Sequence, residues 1–169
     1  IDALKNAANA FIDEIATPNA SISNASKQHQ VSIVKFAGEK SNKVGNDTYR
    51  EGRYTYNYSQ VMKNMTACSE TTKSSFKDTI NAIKPAGATN AAAGMELAQG
   101  QTSKRSDAKK IVIFFTDGTP TTQSEFSNGV ASDAIAAAKA MKDAGASVYT
   151  IGIFDGANPS ANVNASGTT

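Results

Sequence analysis

One carboxylate, Asp117, closes the run Ile111-Val112-Ile113-Phe114-Phe115-Thr116-Asp117, and Gly118, Thr119 and Pro120 follow it at once. A short apolar run bounded by turn residues reads as a strand covered on both faces of a parallel α/β sheet. Ligands of such sheets bind at the carboxyl ends of the strands. A carboxylate placed there is a candidate metal ligand, catalytic group or loop anchor. A second segment, Pro85-Ala86-Gly87-Ala88-Thr89-Asn90, reads as a turn opening a helix and offers the Thr89 hydroxyl. If both segments sit at one sheet edge, they present hydroxyls and one carboxylate, with no thiol or imidazole. Hard oxygen donors of that kind suit Mg²⁺ or Mn²⁺, which retain several waters and need only one or two protein carboxylates. Each segment also has a plainer reading, because a Thr before a helix caps it and an Asp-Gly after a strand makes a turn. No nucleophile–base pair accompanies Asp117 and no second carboxylate stands beside it in sequence, so the chain is not expected to be an enzyme. Gly87-Ala88-Thr89-Asn90 lacks the spacing and the Lys of a phosphate-binding loop, which argues against nucleotide binding.

The other reactive residue types are sparse. Cys68 and His29 are each the only one of their kind, so neither an internal disulfide nor a Cys-based zinc site can form. His29, in Lys27-Gln28-His29-Gln30, reads as a surface-loop residue. Four of the five tyrosines fall in one segment, Tyr49, Tyr54, Tyr56 and Tyr58, with Arg50 and Arg53 between them. Tyr54, Tyr56 and Tyr58 alternate and so share a face if the segment is extended. They either pack an edge hairpin onto the core or present a Tyr/Arg contact surface to a partner. Six Asn-x-Ser/Thr sequons begin at Asn19, Asn24, Asn46, Asn57, Asn64 and Asn164, and they bear on function only in a eukaryotic secreted protein.

These residues must be positioned by a chain of 169 residues, 40% hydrophobic and 19% charged, which is enough for one domain with a sizeable core. A net charge of +2 without a Lys/Arg stripe argues against nucleic acid, and no stretch is long and apolar enough for membrane insertion. Residues 1–16 carry Ile1, Leu4, Ala8, Phe11, Ile12 and Ile15 at helical spacing, ended by Thr17-Pro18. Val31–Phe36 alternates as a strand, residues 38–60 read as a long hairpin or loop, and Val61–Met65 as its return strand. Thr71 or Thr72 is expected to cap a helix through Ile83, and a second helix is expected over about Ala91–Gln101. After the Ile111–Thr116 strand, a helix over Val130–Ala144 is expected to stop at Gly145 in the left-handed conformation. Ser147–Phe154 reads as another buried strand. Strands alternating with helices of about ten to fifteen residues predict a doubly wound, mostly parallel α/β sheet with helices on both faces.

The ordered pair of Thr89 and Thr116-Asp117-Gly118 segments, about thirty residues apart, resembles the von Willebrand factor A-type domain, the fold shared with integrin I domains. Residues 1–8 resemble that family's first helix, 31–36 its second strand, 83–90 its threonine loop, 113–120 its fourth strand and aspartate, and 147–153 its fifth strand. The resemblance implies a metal-ion-dependent adhesion site with Thr89 as the second-loop hydroxyl and Asp117 as the third-loop carboxylate. The remaining ligands, an Asp-x-Ser-x-Ser segment at the end of the first strand, are expected upstream of Ile1, since no such segment occurs in the sequence. The family's first strand would lie between 31–36 and 111–116, and its last strand would follow residue 169, so residues 1–155 are expected to form a partial domain. Residues 156–169 read as a polar loop, the start of an insertion or a truncated end. The Asn/Lys/Thr-rich surface and the near absence of Cys resemble surface and pilus-tip adhesins of Gram-positive bacteria. That likeness implies an extracellular module at the cell wall or pilus, binding a host matrix or cell-surface protein or other pilus subunits. The alternatives are a structural pilus subunit with an unused metal site and the A-type domain of an enzyme-associated complex.

Overall fold

The computed structural model describes residues 2–102, 107–116, 118–122 and 125–152. Helix α1 spans Asp2–Asn19 and buries Ile12, Ala16 and Asn19 on one face. It was expected to stop before Pro18 but runs through it. A proline in the last turn forfeits only its own N–H bond, and the Thr17 hydroxyl, which donates to the Asp13 carbonyl at 3.0 Å, braces that turn. Asn19 then ties the helix end to two other segments. Its amide donates to the carbonyls of His29 at 2.9 Å and Cys68 at 2.6 Å, and its oxygen accepts from the His29 N–H at 2.7 Å. The His29 side chain itself is exposed, as expected.

Strand β1 (Gln30–Lys35) follows, then β2 (Lys40–Val44), the hairpin strands β3 (Thr48–Glu51) and β4 (Tyr54–Asn57), and the long β5 (Ser59–Ala67). β5 is the centre of a three-stranded sheet, antiparallel to β1 and parallel to β2. β3 and β4 pair antiparallel across a turn at Gly52, whose φ of 59° requires the left-handed region. Segment 38–60 thus holds β2 and a complete hairpin. Helix α2 covers Lys73–Asn81, shorter than expected at its C-terminal end. Thr72 stands at its N-cap without capping. Its hydroxyl instead donates to the Ala67 carbonyl at 2.8 Å and accepts from the Ser69 N–H at 2.9 Å, so the preceding turn has taken the group that the helix end would use.

Helix α3 (Ala91–Thr102), strand β6 (Ile111–Thr116), helix α4 (Asn128–Asp143) and strand β7 (Ser147–Gly152) complete the described elements. β6 and β7 pair in parallel register from Ile111 with Ser147 to Thr116 with Gly152. Gly145, at φ 84°, ends α4 in the left-handed conformation that its position predicts. The α/β class and the order of elements match expectation. The described strands form three small sheets, and β1 and β6 share no ladder, in keeping with the expectation that the family's first strand, which would lie between them, is absent from this sequence. Rings cross the space between them instead, with Phe36 and Phe114 stacked at 4.8 Å and Phe36 flush against Gly94 of α3.

Two cores result. Ile12, Ala16, Cys68, Phe76 and Ile80 are buried between α1, α2 and the β1/β5 sheet, with Val31 and Ile33 packed on them. Met95, Val112, Ala137, Met141 and Ala146 are buried between α3, α4 and the inner face of β6/β7, with Phe114 and Val148 against them. A smaller cluster of Ala91, Ala92 and Val130 joins the N-terminal turns of α3 and α4, again against Phe114. The loops of interest lie at that last junction.

Candidate metal centre

The chain reaches the site along β6, whose last residue is Thr116. The Thr116 hydroxyl accepts from the Gly118 N–H and donates to the Gly118 carbonyl, both at 3.3 Å, which folds the strand end into a tight turn. Asp117 lies outside the described residues, so its two sequence neighbours define the segment. Gly118 faces Thr89 closely enough that a Cβ on it would stand 3.2 Å from the Thr89 Oγ1. Glycine here serves close approach, and any side chain would press on the threonine hydroxyl. The two segments singled out in the sequence are therefore brought into contact.

Thr89 precedes α3, where the plainer reading makes it a cap. Asn90 holds that role instead: its Oδ1 accepts from the Ala93 N–H at 3.0 Å, and its own N–H donates to the Ala37 carbonyl at 2.7 Å. With the helix end satisfied by Asn90, the Thr89 hydroxyl makes no hydrogen bond to another described residue. The Thr89 backbone is fixed from the other loop. Its N–H donates to the Thr121 Oγ1 at 2.9 Å, and its carbonyl accepts from the Thr121 N–H at 3.0 Å. Thr121 was not singled out in the sequence. Nothing local in Thr119-Pro120-Thr121-Thr122 signals a bond to Thr89, which precedes α3.

Among the described residues no group of three or more His, Cys, Asp or Glu side chains converges. The donors that the chain offers are the Thr89 hydroxyl, placed by the structure, and the Asp117 carboxylate, placed by sequence alone. Oxygen donors without imidazole or thiolate fit Mg²⁺ or Mn²⁺ in kind. In number, two donors leave most of an octahedral shell to water or to further ligands.

The tyrosines assemble beside this loop. In the β3/β4 register Tyr49 stands opposite Tyr56 and Glu51 opposite Tyr54, so the rings share one face of the hairpin. Tyr49 stacks on Tyr56 at 5.6 Å and meets Tyr58 at a tilt, 4.5 Å between ring centres, and its hydroxyl accepts from the Glu39 N–H at 3.1 Å. Burial pushes the Tyr49 phenol above its ordinary pKa. The Glu39 N–H bond pulls it back, while the nearby Glu39 and Glu51 charges add to the rise. Tyr56 packs on Gly87, two residues before Thr89, where an added Cβ would lie 3.1 Å from the ring. The Asn57 amide donates to the Lys84 carbonyl at 2.8 Å and fixes the same loop from the hairpin side. Tyr54 is the ring left at the surface, 57% exposed, with the Arg53 guanidinium 5.4 Å above it. Tyr49 lies outside the set of Tyr54, Tyr56 and Tyr58 read from the sequence, yet it is the ring that both Tyr56 and Tyr58 meet.

A model of the von Willebrand factor type A domain matches residues 2–168. No curated protein and no solved structure matches the chain.

Proposed function

The chain belongs to the von Willebrand factor type A domain family, and from that membership we propose that it is a cell-surface adhesion module with a divalent-metal-dependent site. Such a domain is consistent with adhesion or protein–protein interaction in general. The finer reading is of an extracellular, bacterial cell-wall or pilus module that binds a host matrix or cell-surface protein. One observation carries the metal-site part of this reading: the Thr89 hydroxyl, relieved of capping by Asn90, lies against Gly118, the residue that follows Asp117. That is the pairing of hydroxyl loop and carboxylate loop that a hard-cation site needs.

A bound Mg²⁺ or Mn²⁺ supplies an oxygen-seeking coordination position that a carboxylate of the partner can fill. Thr89 and Asp117 would hold such an ion, together with ligands beyond these two. Thr121 holds the Thr89 backbone, Asn90 caps α3 beside it, and Thr116 shapes the turn into Gly118. Tyr54, with Tyr56 and Tyr58 behind it, offers a second contact beside the Thr89 loop. The rivals are a structural pilus or surface-assembly subunit that keeps the fold without using a metal, and a subunit of an enzyme-associated complex.

The test is retention of the full-length protein on surfaces coated with matrix proteins, in Mg²⁺ or Mn²⁺ and then in chelator. Retention should be lost on chelation, and lost in both conditions for Asp117→Ala. Retention that persists in chelator and in Asp117→Ala would remove the metal-dependent reading and favour the structural one.

A further inference from the structure

We propose that Thr121 is a positioning residue for the metal site, a two-point clamp that holds the hydroxyl loop in register with the carboxylate loop. The proposal rests on the metal-site reading above and adds a residue to it. Thr89 has one backbone donor and one backbone acceptor, and Thr121 engages both, at 2.9 Å and 3.0 Å. One of these bonds uses the Thr121 side chain, so residue type matters. The reciprocal bond uses the backbone and would survive most substitutions.

The clamp is itself anchored. Pro120 restricts the backbone just before Thr121, and its carbonyl accepts from the Ser127 N–H at 2.9 Å. Thr121 also forms an antiparallel bridge with Phe126. Ser127 in turn caps α4, its hydroxyl accepting from the Val130 N–H at 3.2 Å. On the other side, Thr89 adjoins Asn90, the cap of α3. A continuous series of bonds thus runs from the start of α4 through Pro120 and Thr121 to Thr89 and the start of α3. Thr121 is the only described residue in this series that bonds across from the Asp117 segment to Thr89.

A metal site tolerates little error in donor position, and partners that orient the ligands typically control affinity by about 10- to 100-fold. Thr89 presents its hydroxyl from a backbone that Thr121 fixes, so loss of the Thr121 hydroxyl should loosen that donor without removing it. Thr121→Val preserves shape and deletes the acceptor. Thr121→Ser keeps the acceptor and deletes only a methyl.

The experiment is Mn²⁺ titration of the full-length protein and both variants, followed by electron paramagnetic resonance, with amide hydrogen exchange at Thr89. Thr121→Val should bind Mn²⁺ about 10- to 100-fold more weakly, and Thr121→Ser should stay close to wild type. The Thr89 amide should be protected in wild type and in Thr121→Ser, and exchange faster in Thr121→Val. Equal affinity of wild type and folded Thr121→Val would overturn the clamp and leave the metal site standing. No Mn²⁺ binding by wild type would overturn the metal-site reading and this role with it. Should Thr121→Val not fold, a Thr89 amide that exchanges in wild type as fast as an open loop would refute the clamp alone.

Discussion

The half built on β1, β5 and β2 and the half built on β6 and β7 solve the same problem to different degrees. In the first, α1 and α2 cover the β1/β5 sheet and seal Phe76 at 0% exposure. In the second, α3 and α4 cover the face bearing Val112, Phe114 and Val148, while among the described residues the opposite face is open. Ile111, Tyr149 and Ile151 lie there at 54%, 57% and 44% exposure. The β6 and β7 strands are the richer in apolar residues, eight of twelve against eight of twenty in β1, β2 and β5, yet one of their faces stays open, so hydrophobicity alone does not decide which face is buried. What decides is whether an amphipathic element is present to lie on it. The contrast shows that the candidate site sits at the seam, where α3 touches both halves, and not in the better-packed one.

The largest effect that would sharpen this contrast is truncation of each half in turn. Phe76→Ala should cost about 3–5 kcal/mol of stability, since a fully buried ring leaves a cavity that its neighbours cannot fill. Ile151→Ser should change stability by no more than about 0.5 kcal/mol and lower any tendency to self-associate. Denaturant unfolding of both variants measures the difference, and equal losses would mean that the open face is in fact covered. Next comes the seam. Gly94→Ala places a Cβ 2.8 Å from the Phe36 Cβ and should cost about 1–3 kcal/mol. Gly100→Ala, on the same helix with nothing within 4 Å of its added Cβ, should instead stabilise by about 1 kcal/mol or less. A matched loss at both glycines would show that α3 does not clasp the two halves through Phe36.

The smallest effect is electrostatic. The Lys77 hydrogen bond holds the Asp13 carboxyl below its ordinary pKa, with the Lys77 and Lys73 charges adding to that and slight burial opposing. A carboxyl depressed in the folded state contributes stability above its unfolded pKa and loses it as pH falls through the folded value. The α1–α2 contact should therefore weaken slightly on acidification below about pH 4, where an unperturbed Asp titrates. Asp13→Asn should flatten that part of the pH–stability curve with little change at pH 7, because the pair is exposed and screened.

Much of this was legible in the sequence where the signal is local. The Ile111–Thr116 run, the α3 stretch and the Gly145 stop follow from periodicity and punctuation, and the structure has all three. The meeting of the Thr89 and Gly118 segments was legible mainly through the resemblance, since spacing alone favours a cap at Thr89 and a turn at Asp117-Gly118. Misreadings arose where a side chain had two possible partners. Thr72 looked like a cap but bonds the preceding turn, and the cap at α3 fell to Asn90 and not Thr89. Thr121 stayed hidden because its partner lies in another loop, and hydrogen bonds between distant loops leave no pattern in one sequence. Tyr49 was similarly unreadable as the central ring, because its register with Tyr56 is set by the turn at Gly52.

The central claim is that Thr89 and Asp117 form part of a hard-cation site at the seam of the two halves. Mn²⁺ titration of the full-length protein against Asp117→Ala addresses it most directly. Saturable binding that is competed by Mg²⁺ and lost in Asp117→Ala, with the variant still folded, is the result the account predicts. Equal binding by both proteins, or none by either, would contradict it.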